Sequence, residues 1–214
     1  MKNAAETIMV LLMLSNLVIL GTSRLKMCIR FFAFQGFLLG FLPVLVDINS
    51  WGIRTVILGA GIIALKGIVF PLLLLRTMRL ANVYREVEPF IGFISSMAAG
   101  IVIVGLSFII AAHVPVAESS APGSIVETGL ATVLSGIMLL VSRKKALTQV
   151  LGFLILENGI FMLGVAFMRE VSLMVELGVL LDAFAAVFVM SITAHRISRE
   201  FDHIDTDQLH SLKG

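Results

Sequence analysis

The sequence predicts an all-α integral membrane protein of about seven transmembrane helices, and three observations carry that reading. Only 14% of its 214 residues are charged and 58% are hydrophobic, against about 25% charged in an ordinary soluble domain. The mean hydropathy is +1.04, which a soluble fold of this size cannot hide and a bilayer can. The apolar residues fall in seven runs, near 5–22, 30–47, 53–75, 90–112, 125–142, 147–168 and 173–195. Each run approaches the roughly 20 residues that a helical span needs, and runs that are continuous, not alternating, select helices over barrel strands.

The first run is followed, not preceded, by its strong positive cluster (Arg24, Lys26, Arg30). That order suits a retained first span better than a cleaved signal peptide. The same sign recurs at every second connection: Arg76, Arg79 and Arg85, then Arg143, Lys144 and Lys145, then Arg196, Arg199 and Lys213 in the tail. The other side holds only Lys2, Arg54 and Arg169, twelve basic residues against three. By the bias of Lys and Arg toward the cytoplasmic side, the N-terminus lies outside and the C-terminus in the cytoplasm.

Small residues mark faces where helices can approach. Ser96, Ala99 and Gly100 share one face of the fourth run, and Gly178, Ala185 and Ala186 flank Asp182 in the seventh. The outer connection 113–124, with His113, Pro115, Glu118 and Pro122, reads as a turn-rich loop. Residues 200–214 read as a polar tail, solvated or docked on a cytoplasmic partner.

Composition also excludes functions. A net charge of +2 gives no reason to expect nucleic acid as a partner. Cys28 is the single cysteine, so no disulfide or Cys-ligated cluster forms within the chain, and it reads as a small apolar filler. The four histidines, His113, His195, His203 and His210, sit at helix ends or in the tail. No Gly-rich phosphate loop and no nucleophile with its base can be assembled. No cofactor or metal site is expected in this chain.

The chemical signal is a set of ionisable residues inside the spans: Lys66, Glu157 and Asp182. Each costs about 2.5–3.5 kcal/mol at a helix centre, so they must pair or meet water. Counted from the nearest basic residue at 1.5 Å per residue, Lys66 lies about 15 Å deep, Glu157 about 18 Å and Asp182 about 21 Å. All three fall near one height at the bilayer middle. Desolvation favours a protonated carboxyl and a nearby ammonium favours the carboxylate, so the balance between them makes proton exchange cheap. These residues are therefore candidates for a proton relay, the competing reading being a static ion pair that only fixes packing. Glu127 and Glu176 lie nearer the outer ends and read as interfacial. Pro71 removes a backbone hydrogen bond in the third run, freeing a carbonyl near position 67. Asn16, Gln35 and Asn158 read as interhelical glue.

At its C-terminal end the chain resembles a known family. The basic turn Arg143-Lys144-Lys145 leading into VLGFLILENGIFMLG, and then GVLLDAFAAVFVMSITAHRI, resemble the small three-helix subunit K of respiratory complex I and its counterpart in multisubunit sodium/proton antiporters. That resemblance assigns Glu157 and Asp182 to the family's two buried acids. Glu157 departs from the pattern: subunit K usually places its Glu two residues after the glycine that corresponds to Gly152, whereas here the Glu directly precedes Asn158. Asp182 also stands where a Glu is usual. With its leading spans and Lys66 before GIVFPLLLLR, the whole chain is similar to component E of hydrogenase-4-type membrane-bound nickel–iron hydrogenases.

The resemblance implies an organisation of four leading spans (1–124), a subunit K-like unit (125–199) and a cytoplasmic tail (200–214). It implies a non-catalytic membrane-arm subunit of a formate hydrogenlyase-type complex in the inner membrane. The nickel–iron centre and iron–sulfur clusters would lie in partner subunits. Antiporter-like, quinone-chamber-like and cytoplasmic hydrogenase subunits would be its neighbours. A subunit of a cation/proton antiporter, a purely structural anchor and, less favoured, a stand-alone transporter are the alternatives.

Overall fold

The computed structural model of the protein describes residues 2–46, 53–82, 84–85, 89–114 and 124–167, together with Gly178. Their long elements are all helical, and six helical stretches are long and apolar enough to cross a membrane. The seventh predicted run, Gly178 apart, lies outside the described residues.

Helix α1 (Lys2–Gly21) is uncharged from Thr7 onward and stops at Gly21-Thr22-Ser23. Helix α2 (Leu25–Val46) carries Pro43 in its last turn. The third span is composite: α3 (Ile53–Ile62), a π-helical segment (Ile63–Val69) and α4 (Phe70–Leu80). Then follow α5 (Phe93–Ala111), α6 (Ile125–Ser142) and α7 (Ala146–Phe167).

Two helices outrun their predicted limits. Helix α2 begins at Leu25, not near residue 30, and α4 ends at Leu80, not near residue 75. The extra turns carry Lys26, Arg30, Arg76 and Arg79, all exposed. Charge marks where the apolar slab ends, but a helix keeps its hydrogen bonds past that point while long basic side chains reach toward water.

Packing arranges the helices in three levels. At the basic end, Ile19, Leu20, Ile29, Phe32, Leu74 and Leu154 belong to one buried apolar cluster. At the opposite end, Met9, Leu12, Leu39, Leu42, Ile125 and Met162 belong to a second. Between them every contributing element turns polar: Ser15 and Asn16 on α1, Gln35 on α2, Lys66 on the π segment, Thr132 and Ser135 on α6, and Glu157 and Asn158 on α7, all buried. Helix α6 packs most extensively on α7, and α2 touches α1, α3, the π segment, α4 and α7. Helix α5 lies at the edge against α1 and α6. It buries Ser96 and Gly100 and turns Ile94, Ile101, Val102 and Ile109 outward.

Candidate functional site

The polar level is built on two close backbone approaches. The first joins α2 to the π segment. A Cβ at Gly36 would lie 2.6 Å from the Lys66 carbonyl carbon and 2.7 Å from the Gly67 nitrogen. Only a residue without a side chain lets α2 rest on the backbone that carries Lys66. The second joins α6 to α7. A Cβ at Gly136 would lie 2.5 Å from the Leu156 nitrogen, and one at Gly159 would lie 2.5 Å from the Val133 nitrogen and 2.7 Å from the Gly129 oxygen. Gly129 and Gly136 thus face Gly159 and Gly152 across an antiparallel seam, with Glu157 between the two contacts. Such close approach is how small residues drive helix association in lipid.

To the hydrogen bond lost at Pro71 the structure adds a π-helical turn just before it. The Phe70 N–H donates to the Leu65 carbonyl, five residues back. Pro71, without an N–H, cannot continue either register, so the widened turn precedes it. Lys66 projects from this widened turn into the polar level.

There its Nζ donates to Glu157 Oε1 at 2.8 Å and to Asn158 Oδ1 at 3.2 Å. Lys66 and Glu157 are 6% and 2% exposed at their side chains, so the charges are taken from solvent together. A buried pair offsets desolvation only with good geometry and further hydrogen bonds. Asn158 provides one of these bonds.

From Asn158 the bonds continue across three more helices. Asn158 Nδ2 donates to Gln35 Oε1 at 3.3 Å. Gln35 Nε2 donates to Ser15 Oγ at 2.7 Å and Asn16 Oδ1 at 2.8 Å. Asn16 Nδ2 donates to Thr132 Oγ1 at 2.9 Å. The hydroxyls end the chain on main-chain carbonyls, Ser15 on Leu12 at 2.6 Å and Thr132 on Thr128 at 2.7 Å.

A second buried cation lies at the basic end. Arg143 is 1% exposed. Its Nη2 donates to the Leu20 carbonyl at 2.6 Å and Nη1 to the Ile91 carbonyl at 3.4 Å, with the guanidinium 4.4 Å from the Phe93 ring centroid. It ties the C-terminal end of α1 to the start of α5. Lys145 reaches the Arg85 carbonyl and Phe90 N–H the Ser142 carbonyl, which binds the same connections together.

The structure therefore brings Lys66 and Glu157 together, which depth counting places at one height without choosing a partner. Asp182 lies outside the described residues, as do Ala185, Ala186 and Glu176. Asn16, Gln35 and Asn158 do bridge helices, and Asn158 also touches the lysine, which its residue type alone does not reveal. The seven-residue spacing of Gly129 with Gly136 and Gly152 with Gly159 is readable in the sequence and announces the α6–α7 seam. Arg143 reads in the sequence as a loop charge; its burial depends on tertiary packing and has no sequence signal. Cys28 is buried among apolar neighbours, as expected of a filler. Glu127 sits half-buried in the first turn of α6, its Oε2 buried without a hydrogen-bond partner among the described residues.

Comparison with known proteins places this geometry. Residues 125–214 match the family model of NADH-ubiquinone/plastoquinone oxidoreductase chain 4L, beginning at the first residue of α6. The chain is 31% identical over 203 residues to the uncharacterized protein Rv0085 of Mycobacterium tuberculosis, covering 94% of this chain and 92% of that one. It is 24% identical over 208 residues to hydrogenase-4 component E of Escherichia coli K12, covering 95% and 94% of the two chains. The component E of Shigella flexneri matches to the same extent. No solved structure matches.

Proposed function

The chain belongs to the family that includes Rv0085 and hydrogenase-4 component E, and on that premise we propose that it serves proton movement in a membrane-bound hydrogenase of the formate hydrogenlyase type. It is a multi-pass membrane protein and a membrane-arm subunit of a multisubunit, complex I-like assembly. In the proposed role it is non-catalytic, and Lys66, Glu157 and Asp182 form part of a relay that moves protons or couples redox energy to ion movement.

The observation that carries this reading is the Lys66–Glu157 pair within a polar level bounded by apolar clusters on both sides. A purely structural pair needs no such continuous polar level, and among the described residues a path straight across would have to breach both clusters. A proton that reaches Glu157 therefore travels in the plane of the membrane, passed between this subunit and its neighbours. Glu157 takes the proton on its carboxylate, which weakens its hold on the Lys66 ammonium, and loss of the proton restores the bond. Lys66 thereby sets how readily Glu157 exchanges its proton.

Redox chemistry belongs to partner subunits holding a nickel–iron centre and iron–sulfur clusters; one cysteine and four scattered histidines in this chain do not fit such groups. The proposed location is the inner (cytoplasmic) membrane, with the N-terminus outside and the hydrogenase subunits on the basic, cytoplasmic end.

Purification of the assembly in mild detergent, with identification of its subunits and assay of nickel and iron, tests the assignment. Nickel and iron–sulfur absorption are expected. An assembly of antiporter subunits without either metal would replace the hydrogenase by a cation/proton antiporter.

A further inference from the structure

Two neighbouring helices carry exposed cations and exposed apolar side chains in single stripes. On α2, Lys26 is followed by Arg30, Phe34, Phe37 and Phe41 at i+4, i+8, i+11 and i+15, and all five are exposed. On α4, exposed Leu72 is followed by exposed Arg76 and Arg79 at i+4 and i+7. The helices touch, and their levels can be matched. Phe37 rests on the π segment, where a Cβ at Gly67 would lie 3.3 Å from its ring. The two spans are antiparallel, since Gly36 meets Lys66 and Gly67 whereas Gly40 meets Gly59 and Ile63. Counted toward the basic end from the Phe37–Gly67 contact at 1.5 Å per residue, Arg30 stands about 10 Å away and Arg76 about 13 Å, Lys26 about 16 Å and Arg79 about 18 Å. The four cations thus form two pairs at adjacent levels, each pair with one member from either helix. Among the described residues, no hydrogen bond or ion pair engages their side chains.

We propose that α2 and α4 bind an anionic phospholipid in the leaflet at the basic end, its phosphate held by Lys26, Arg30, Arg76 and Arg79 and an acyl chain laid along Phe34, Phe37 and Phe41. Clustered basic residues at a membrane surface attract anionic headgroups. The length of the α2 stripe favours a lipid over a free phosphate. From Arg30 to Phe41 it runs about 16 Å, the depth of one leaflet of a roughly 30 Å hydrocarbon core. An acidic neighbouring subunit would need carboxylates at the headgroup level and an apolar face directly beneath them; a phospholipid has both in one molecule. Helix α5 supplies the contrast. It turns Ile94, Ile101, Val102 and Ile109 outward and carries no cation anywhere along its length. The lipid site needs only the membrane spans, and neither the hydrogenase assignment nor the relay enters it.

The test uses the intact assembly in mild detergent, with phosphatidylglycerol and phosphatidylcholine that carry the same photoreactive acyl chain. Phosphatidylglycerol should label the α2 peptide holding Phe34, Phe37 and Phe41, and phosphatidylcholine should label it at least roughly tenfold less readily. Unlabelled phosphatidylglycerol should displace the label, and inorganic phosphate should not. Label on α5 should not distinguish the two lipids. Arg30→Gln/Arg76→Gln should raise the phosphatidylglycerol concentration for half-labelling roughly thirtyfold, the effect of two basic residues at a headgroup surface. Arg24→Gln/Arg85→Gln removes the same charge from exposed positions at the same end and should leave that concentration unchanged. An α2 stripe labelled equally by both lipids, or by neither, would overturn the proposal. So would displacement by inorganic phosphate, an Arg30→Gln/Arg76→Gln assembly labelled like the parent, or cross-linking of Arg30 and Arg76 to carboxylates of a neighbouring subunit. If that double variant does not assemble, the comparison of the two lipids on the parent decides the matter alone.

Discussion

Replacing Gly36 by alanine inserts a methyl group into the seam between α2 and the backbone that carries Lys66. The new Cβ would lie 2.6 Å from the Lys66 carbonyl carbon, 2.7 Å from the Gly67 nitrogen and 2.8 Å from the Lys66 oxygen, where ordinary contact is 3.4–4 Å. All three neighbours are backbone atoms, so no side-chain rotation relieves the clash. The π segment has to withdraw by close to an ångström. Carried to Nζ, that displacement stretches the 2.8 Å bond to Glu157 toward the limit of a hydrogen bond. Overpacking of this kind costs about 1–3 kcal/mol. Gly61 and Gly105 serve as controls, since a Cβ at either meets nothing within 4 Å, and helical Gly→Ala without a clash stabilises by about 0.5–1 kcal/mol. Thermal unfolding of the purified assembly should show Gly36→Ala melting below the parent while Gly61→Ala and Gly105→Ala melt at or above it. Gly36→Ala as stable as Gly61→Ala would refute the claim that this glycine seats the lysine.

Three other perturbations bear on the same account. Lys66→Met takes the paired cation away from the buried Glu157 carboxyl, and breaking a buried pair from one side costs about 3–5 kcal/mol; the yield of assembled complex should fall and recover in Lys66→Met/Glu157→Gln. Arg143→Ala should lower thermal stability, and Arg143→Lys should not restore it, because one ammonium cannot reproduce a planar fork reaching the Leu20 and Ile91 carbonyls at once. Cysteines placed at the exposed Arg24 and Lys144 positions should react with an impermeant thiol reagent in inverted vesicles but not in intact cells, with buried Cys28 as a silent background.

How far these features are legible in the sequence depends on what each one requires. Membrane character and six of the seven runs follow from apolar continuity, since lipid accepts no alternative backbone arrangement. The shared depth of Lys66 and Glu157 follows from a fixed rise per residue. Their contact does not, because a count along the axis carries no information on which way each helix faces. The same rule does not gather the amides: it puts Asn16 about 12 Å from Arg24 but Gln35 only about 8 Å from Arg30, because α2 continues past its basic residues. The π register before Pro71 is beyond reach: proline shows where a helical bond is lost, not how the preceding turn rearranges. Burial of Arg143 needs the positions of α1 and α5, which lie far from it in sequence. Asp182 and, Gly178 apart, the rest of the seventh run lie outside the described residues, and the role given to Asp182 rests on the sequence.

The central claim, that Glu157 beside Lys66 carries protons for a complex I-like hydrogenase, is tested most directly by proton movement in inverted vesicles bearing Glu157→Gln. The account predicts an assembled complex, with its redox turnover retained and its proton movement abolished. Proton movement equal to the parent's, at equal amounts of assembled complex, would contradict it.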